Sequence, residues 1–84
     1  MFEYLFTFRS ITQAQMAQRI LRQNHISVNL QRSPKQLSKN GCAYALTIAE
    51  EHLHFVIQMF RERNLSFSGL YRKTDLQTLE EVQP

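Results

Sequence analysis

The chain holds one cysteine, Cys42, and the sequence around it is rich in cations and poor in acids. No aspartate or glutamate occurs between Glu3 and Glu50, so that segment carries a formal charge of +6. Its cations are Arg9, Arg19, Arg22, Arg32, Lys35 and Lys39. Positive charge near a thiol favours the thiolate, which is the nucleophilic form of cysteine. These residue types therefore predict a reactive, partly exposed thiol at Cys42.

A structural role is the alternative for Cys42, because a lone cysteine in a small domain often serves as a small core hydrophobe. Cys42 shares strand parity with Tyr44 and Leu46, which fits a side chain that faces the core. Gly41 fits the reactive interpretation, since a residue without a side chain lets a substrate or partner approach the sulfur, although glycine also simply ends loops. The sequence leaves both interpretations of Cys42 open.

The first half of the chain predicts a strand, a helix and a second strand. Aromatic residues alternate in FEYLFTF, residues 2–8, as in a half-buried strand. Ser10 and Gln13 form an S-x-x-Q capping box, and Asn24 suits a left-handed helix end. The segment ISVNL predicts the second strand. The apolar stripe of the helix is Ala14, Ala17, Ile20 and Leu21.

The second half predicts a strand, a helix and a strand again. CAYALTI is the third strand, and LSFSGLYR is the fourth. Between them, apolar residues recur at i, i+3, i+4 and i+7, as in an amphipathic helix that ends at Asn64. Those apolar residues are Leu53, Val56, Ile57 and Phe60.

The order β-α-β-β-α-β predicts an α+β chain with a ferredoxin-like split sandwich. Its sheet would be antiparallel and four-stranded, in the order 4-1-3-2, with two helices on one face. We expect this domain to span residues 1–72. Residues 73–84 are expected to be a C-terminal extension that forms a short helix or is disordered.

This topology would bring cations and a helix N-terminus to the thiol. The third strand would run antiparallel beside the first, so its start would lie near Phe8 and the start of the first helix. A helix dipole favours an anion at the N-terminus by about 0.3 to 1 kcal/mol. We predict that the thiolate of Cys42 is stabilised by Arg9, Ser10, Arg32, Ser38, Lys39 and Gly41.

Composition narrows the class of protein. The length of 84 residues suits one domain with one small core. No apolar run approaches the ~18 residues of a membrane span, and the N-terminus lacks the pattern of a secretory signal. One cysteine cannot form an intramolecular disulfide, so we expect a cytoplasmic location. We expect no cofactor and no metal: His52 and His54 diverge on their helix, and His25 suits a cation near a helix C-terminus.

Several segments resemble a known family. EYLFTFRS, SPKQLS, GCAYAL and SFSGLYR, within residues 3–72, are similar to the selenium/sulfur carrier-like proteins. The most specific element is P-x-x-L-S at Pro34 to Ser38, four residues before Cys42. The resemblance implies that Cys42 holds sulfur or selenium as a persulfide or selenopersulfide. It also implies donor and acceptor proteins as partners, and it favours a carrier over a turnover enzyme.

Two other functions share the predicted fold. RNA recognition motifs have the same order of elements, but of their third-strand signature only Gly41, Ala43 and Tyr44 are present here, so nucleic acid is not expected. A protein-interaction module with a structural cysteine is the other alternative. Phe55 and Met59 lie one turn apart, off the main apolar stripe, and could form a homodimer contact or widen the core face.

Overall fold

The structure, a computed structural model, describes residues 2–35, 43–74 and 78–82. Two helices and five strands lie within these ranges, and a short 3-10 turn at Glu50–His52 precedes the second helix. The elements are β1 (Glu3–Phe8), α1 (Ile11–Gln23), β2 (Asn29–Arg32), β3 (Tyr44–Ala49), α2 (Leu53–Glu62), β4 (Gly69–Lys73) and β5 (Leu79–Glu81).

The five strands form one antiparallel sheet in the order β2-β3-β1-β4-β5. The α+β class with two helices is therefore confirmed. The expected sheet of four strands is corrected to one of five, because β5 lies outside β4. The ferredoxin-like assignment stays a prediction. Among the described residues, neither helix has the length and hydropathy needed to cross a membrane.

The fifth strand comes from the tail, where we had expected a short helix or disorder. Leu79–Glu81 pairs with β4, and Arg72 meets Glu80 directly across the ladder. The Arg72 guanidinium donates to Oε1 of Glu80 from Nε at 3.1 Å and from Nη2 at 2.6 Å. These bonds join partners eight residues apart, so the local helical spacing of the tail could not reveal them.

The core lies between the sheet and the two helices. Tyr4, Phe6 and Phe8 of β1 belong to this core, as their alternation predicts. Phe6 meets the rings of Phe60 and Phe67 edge to face, with centroids 5.2 and 4.8 Å apart. Such aromatic pairs contribute about 0.5 to 1.5 kcal/mol beyond the area that they bury. The core therefore fixes β1 against α2 and positions the strand ends described below.

A left-handed residue follows each helix, and it is the expected asparagine only after the second helix. After α1, the left-handed residue is His25, with a φ of 61°, rather than Asn24. Asn24 instead donates from its side-chain amide to the carbonyl oxygen of Ile20 at 2.9 Å. After α2, Asn64 does adopt the left-handed conformation, with a φ of 54°. Asparagine tolerates this region because its short side chain bonds locally.

Candidate functional site

Part of the predicted site lies outside the described residues. That part comprises Cys42 itself together with Ser38, Lys39 and Gly41. Arg9, Ser10 and Arg32 are described. Ala43, which follows Cys42 in the sequence, is described as well. The geometry around Ala43 is therefore the structural basis for judging the site.

Three strand ends meet next to Ala43. Tyr44, the first residue of β3, pairs with Phe8 at the end of β1 and with Arg32 at the end of β2. The backbone N–H of Ser33 donates to the carbonyl oxygen of Ala43 at 3.0 Å, so the pairing continues beyond Arg32. The expectation that the third strand starts beside the end of the first is confirmed for Tyr44 and Phe8. The chain that follows Cys42 therefore enters the sheet where β1 and β2 end.

Two guanidinium groups flank this junction on the described chain. Arg9 follows β1 directly, Arg32 ends β2, and both side chains are exposed. Neither makes an ion pair or a hydrogen bond with a described residue. Both charges are thus available to an anion, although an exposed ion pair contributes only about 0.2 to 1 kcal/mol.

Helix α1 begins at Ile11, two residues after Arg9, and Ser10 is its N-cap. The Ser10 hydroxyl oxygen accepts hydrogen bonds from the backbone N–H groups of Thr12 at 3.2 Å and Gln13 at 3.5 Å. Two of the first-turn N–H groups are therefore used by the cap and are not free for an anion. The helix still offers its dipole, and no acidic residue lies in its first turn.

Ser33 is a residue of this junction that the sequence did not single out. Its hydroxyl oxygen is buried and has no hydrogen-bond partner in the described part of the chain. A buried hydroxyl without a partner costs about 1 to 3 kcal/mol, so it calls for an explanation. The only sequence signal was its position directly after Arg32, at the start of the segment that leads to Cys42.

The histidines do not assemble a site. In the described ranges, no group of three or more His, Cys, Asp or Glu side chains is arranged to hold a metal ion. His52 lies 3.6 Å from the Glu51 carboxylate, and both side chains are exposed to solvent. This pair is a weak surface contact.

The two residues proposed for a protein contact differ in their exposure to solvent. Phe55 is 49% exposed, whereas Met59 is 6% exposed and belongs to the core. The Met59 sulfur also lies 3.7 Å from the side-chain nitrogen of Asn24. Met59 therefore widens the core face of α2, and only Phe55 is available for contact with another molecule.

The sheet face opposite the helices, called here the open face, bears on RNA binding. The β1 aromatics lie in the helix-side core, so by strand alternation the open face receives the intervening side chains. On β1 and β3 these are Glu3, Leu5, Thr7, Ala45, Thr47 and Ala49. None of these six is aromatic, and base stacking on such a sheet requires aromatic rings. β1 and β3 therefore lack the stacking platform of an RNA recognition motif.

Comparison with known proteins identifies one family. A family model described as "Putative Se/S carrier protein-like" matches residues 3–72. The matched range includes all the strand ends of the junction and Cys42 itself. No curated protein and no solved structure shows significant similarity to the chain.

Proposed function

This chain belongs to the Se/S carrier protein-like family, and from that premise we propose that it carries sulfur or selenium on Cys42. The observation that carries the proposal is the single cysteine: the family match covers Cys42, and the chain has no other thiol. A carrier that binds its cargo through cysteine sulfur can use this residue alone.

The transfer requires no oxidant and no metal. The Cys42 thiolate attacks the terminal sulfur of a donor persulfide, a new S–S bond forms, and the donor leaves as a thiolate. A selenopersulfide donor transfers its terminal selenium in the same way. An acceptor nucleophile later attacks the outer atom, and Cys42 departs as a thiolate. Every step moves one chalcogen atom between sulfur nucleophiles.

Positive charge at the junction supports both anionic states of Cys42, the thiolate and the persulfide. Arg9 and Arg32 are free of described partners, and the dipole of α1 points its positive end to the same region. We assign Ser38, Lys39 and Gly41 to the same role, as groups on the segment that delivers Cys42. No acidic side chain occurs between Glu3 and Glu50 to oppose these charges.

Ser33 adds a hydrogen-bond donor to this proposal. Its hydroxyl has no described partner, and its backbone is bonded to the residue after Cys42. A hydrogen bond to a charged acceptor contributes about 1.5 to 3 kcal/mol, which offsets the cost of burying the group. We assign the Ser33 hydroxyl to the anionic sulfur or selenium of the loaded carrier.

The setting follows from the chemistry. The free thiolate that starts the transfer persists where disulfides are not favoured, so we propose that the protein acts in the cytoplasm. Its partners are then a donor and an acceptor protein that exchange the chalcogen with Cys42. The proposed unit is a ferredoxin-like domain of residues 1–72, to which the tail adds β5. The reaction uses neither a cofactor nor a metal.

Intact-protein mass spectrometry tests the proposal directly. The wild-type protein, incubated with a small-molecule persulfide or selenopersulfide donor, should gain the mass of one sulfur or selenium atom. Cys42→Ser should gain nothing, and a reductant should remove the adduct from the wild type. The rates at which iodoacetamide alkylates the wild-type protein and free cysteine, measured under the same conditions, would show whether the protein thiol is more reactive. An unmodified wild-type protein, with the alkylation profile of an ordinary thiol, would reject the carrier function.

A further inference from the structure

A cavity of about 580 Å³ opens on the open face of the sheet, away from the helices. The cavity is lined on β1 and β3 by Leu5, Thr47 and Ala49, and on β4 and β5 by Lys73 and Leu79. Its volume falls within the ~300 to 1,000 Å³ of typical small-molecule sites. The described residues of the proposed carrier site, which include Arg32 and Ser33, are not among its described lining residues. The cavity is therefore a second candidate site.

Two opposite charges stand at one end of this cavity. Glu3 and Lys73 are direct cross-strand partners on β1 and β4, and both line the cavity. Side chains in such a pair start about 5 Å apart and commonly interact. Yet neither makes an ion pair or a hydrogen bond with a described residue. The next pair of charges, Arg72 and Glu80, shows that this sheet does form such bonds, at 2.6 Å.

The unpaired carboxylate and ammonium suit a zwitterion. The ammonium of an α-amino acid can donate to Glu3, while its carboxylate accepts from Lys73. A ligand with a single charge would satisfy only one of the two groups. Charge-assisted hydrogen bonds are roughly twice as strong as neutral ones, so a head group that makes both gains most.

Among the described residues, the β2 side of the cavity combines polar, uncharged side chains with the apolar Val28 and Pro34. Asn29 pairs with Thr47, and the next residue on the same side of β2 is Gln31; all three line the cavity. Asn and Gln amides both donate and accept hydrogen bonds. Between the two ends lies Leu5, an apolar side chain that is 3% exposed. Strands β1 and β2 are two sheet spacings apart, about 10 Å.

From this arrangement we propose that the cavity binds a free α-amino acid with an extended side chain that ends in a hydrogen-bonding group. Glu3 and Lys73 hold the head group. Leu5 contacts the methylene groups of the side chain. Asn29, Gln31 and Thr47 bond its polar end.

Titration with L-glutamine, followed by NMR of the backbone amides, tests this site. The amides of Leu5, Thr47 and Ala49 should shift with a saturable dependence on concentration. N-acetyl-L-glutamine lacks the positive charge and L-glutamine amide lacks the negative one, so each should bind at least tenfold more weakly. L-leucine should also bind more weakly, because it cannot satisfy the amides of β2. Equal binding of any of these three compounds, or no saturable shift with L-glutamine, would overturn the proposal.

Variants connect the binding to the two charges. Glu3→Gln and Lys73→Met should each lower the affinity for L-glutamine at least tenfold, while Glu62→Gln on α2 should not change it. The double variant Glu3→Lys with Lys73→Glu keeps both charges in exchanged positions and should bind better than either single variant. Cys42→Ser should bind like the wild type, which separates this site from the carrier function. Unchanged affinity in both single variants would contradict the assignment.

Discussion

The backbone N–H of Ser33 donates to the carbonyl oxygen of Ala43 at 3.0 Å, so β2 and β3 stay paired up to the residue that follows Cys42 in the sequence. This bond holds the backbone of Ser33 beside Ala43, so the Ser33 side chain has a defined position there. Its buried hydroxyl, which has no described partner, is the feature that most needs a functional explanation.

Replacing Ser33 with alanine should separate stability from reactivity. Because the hydroxyl has no described partner, Ser33→Ala should leave the free energy of unfolding unchanged or raise it by about 1 kcal/mol, as measured by urea denaturation. The pH midpoint of Cys42 alkylation should move to higher pH, since the anion loses a donor. Ser33→Thr, which retains the hydroxyl, should keep the wild-type midpoint. A loss of stability without any change in the midpoint would make Ser33 purely structural.

Neutralising a positive charge at the junction should lower the alkylation rate of Cys42, and the size of the effect should depend on salt concentration. Arg32→Gln should lower the alkylation rate of Cys42 about two- to fivefold at low ionic strength, the effect of one exposed charge. Added salt should shrink the difference, because screening weakens the wild-type interaction. Arg63→Gln, at the end of α2, is the matched control and should have the wild-type rate. Equal rates for Arg32→Gln and the wild type at low salt would remove Arg32 from the site.

Gly69 should not tolerate a side chain. An added Cβ would lie 3.0 Å from Cε1 of Tyr71 and 3.2 Å from the buried hydroxyl oxygen of Thr7. Overpacking of this kind typically costs about 1 to 3 kcal/mol, so Gly69→Ala should lower the midpoint of urea unfolding. Ser68→Ala, at the exposed neighbouring position, should have little effect. An unchanged midpoint in Gly69→Ala would mean that the Tyr71 ring moves aside freely.

The attachment of β5 should depend on Glu80. The hydrogen bond from Arg72 to the Glu80 carboxylate, together with their attraction, raises the pKa of Arg72 above its ordinary value. A raised pKa adds stability that is lost only when the pH rises through that pKa, so Arg72 stays charged under ordinary conditions. Glu80→Gln should speed hydrogen exchange at the Val82 amide, which donates to Leu70, and leave the amides of β1 protected.

Glu81→Gln provides the comparison for that experiment. Glu81 lies on the same short strand and is exposed, but it has no ion pair with a described residue. Its exchange rates should match those of the wild type. A similar increase in the hydrogen-exchange rate of both variants would show that the net negative charge of β5, and not the bond to Arg72, holds the strand in place.

Local periodicity was sufficient to predict much of the fold. The stripe of Ala14, Ala17, Ile20 and Leu21 is buried, because a helix that packs on a sheet has one apolar face. The alternation of β1 was equally informative about the core. The second strand, expected at residues 26–30, instead occupies Asn29–Arg32, since its bounds depend on pairing with β3. Strand ends set by a distant partner leave little trace in local sequence.

The sequence predicted only those features of the site that follow from the order of helices and strands. Antiparallel pairing of β1 and β3 followed from the order of elements, which brought Phe8 to Tyr44. The buried state of the Ser33 hydroxyl did not, because burial depends on packing from several elements. The same holds for Glu3 and Lys73, whose positions in the sequence are seventy residues apart.

The strand formed by Leu79–Glu81 has a consequence for how the protein should be handled. The family match ends at residue 72, yet the backbone of β4 relies on residues beyond that limit for its hydrogen bonds. Shortening the chain to the matched range would leave the N–H and C=O groups along one side of β4 without their partners. Unpaired edge strands of this kind pair with those of other molecules. The shortened protein should therefore aggregate under conditions in which the longer one does not.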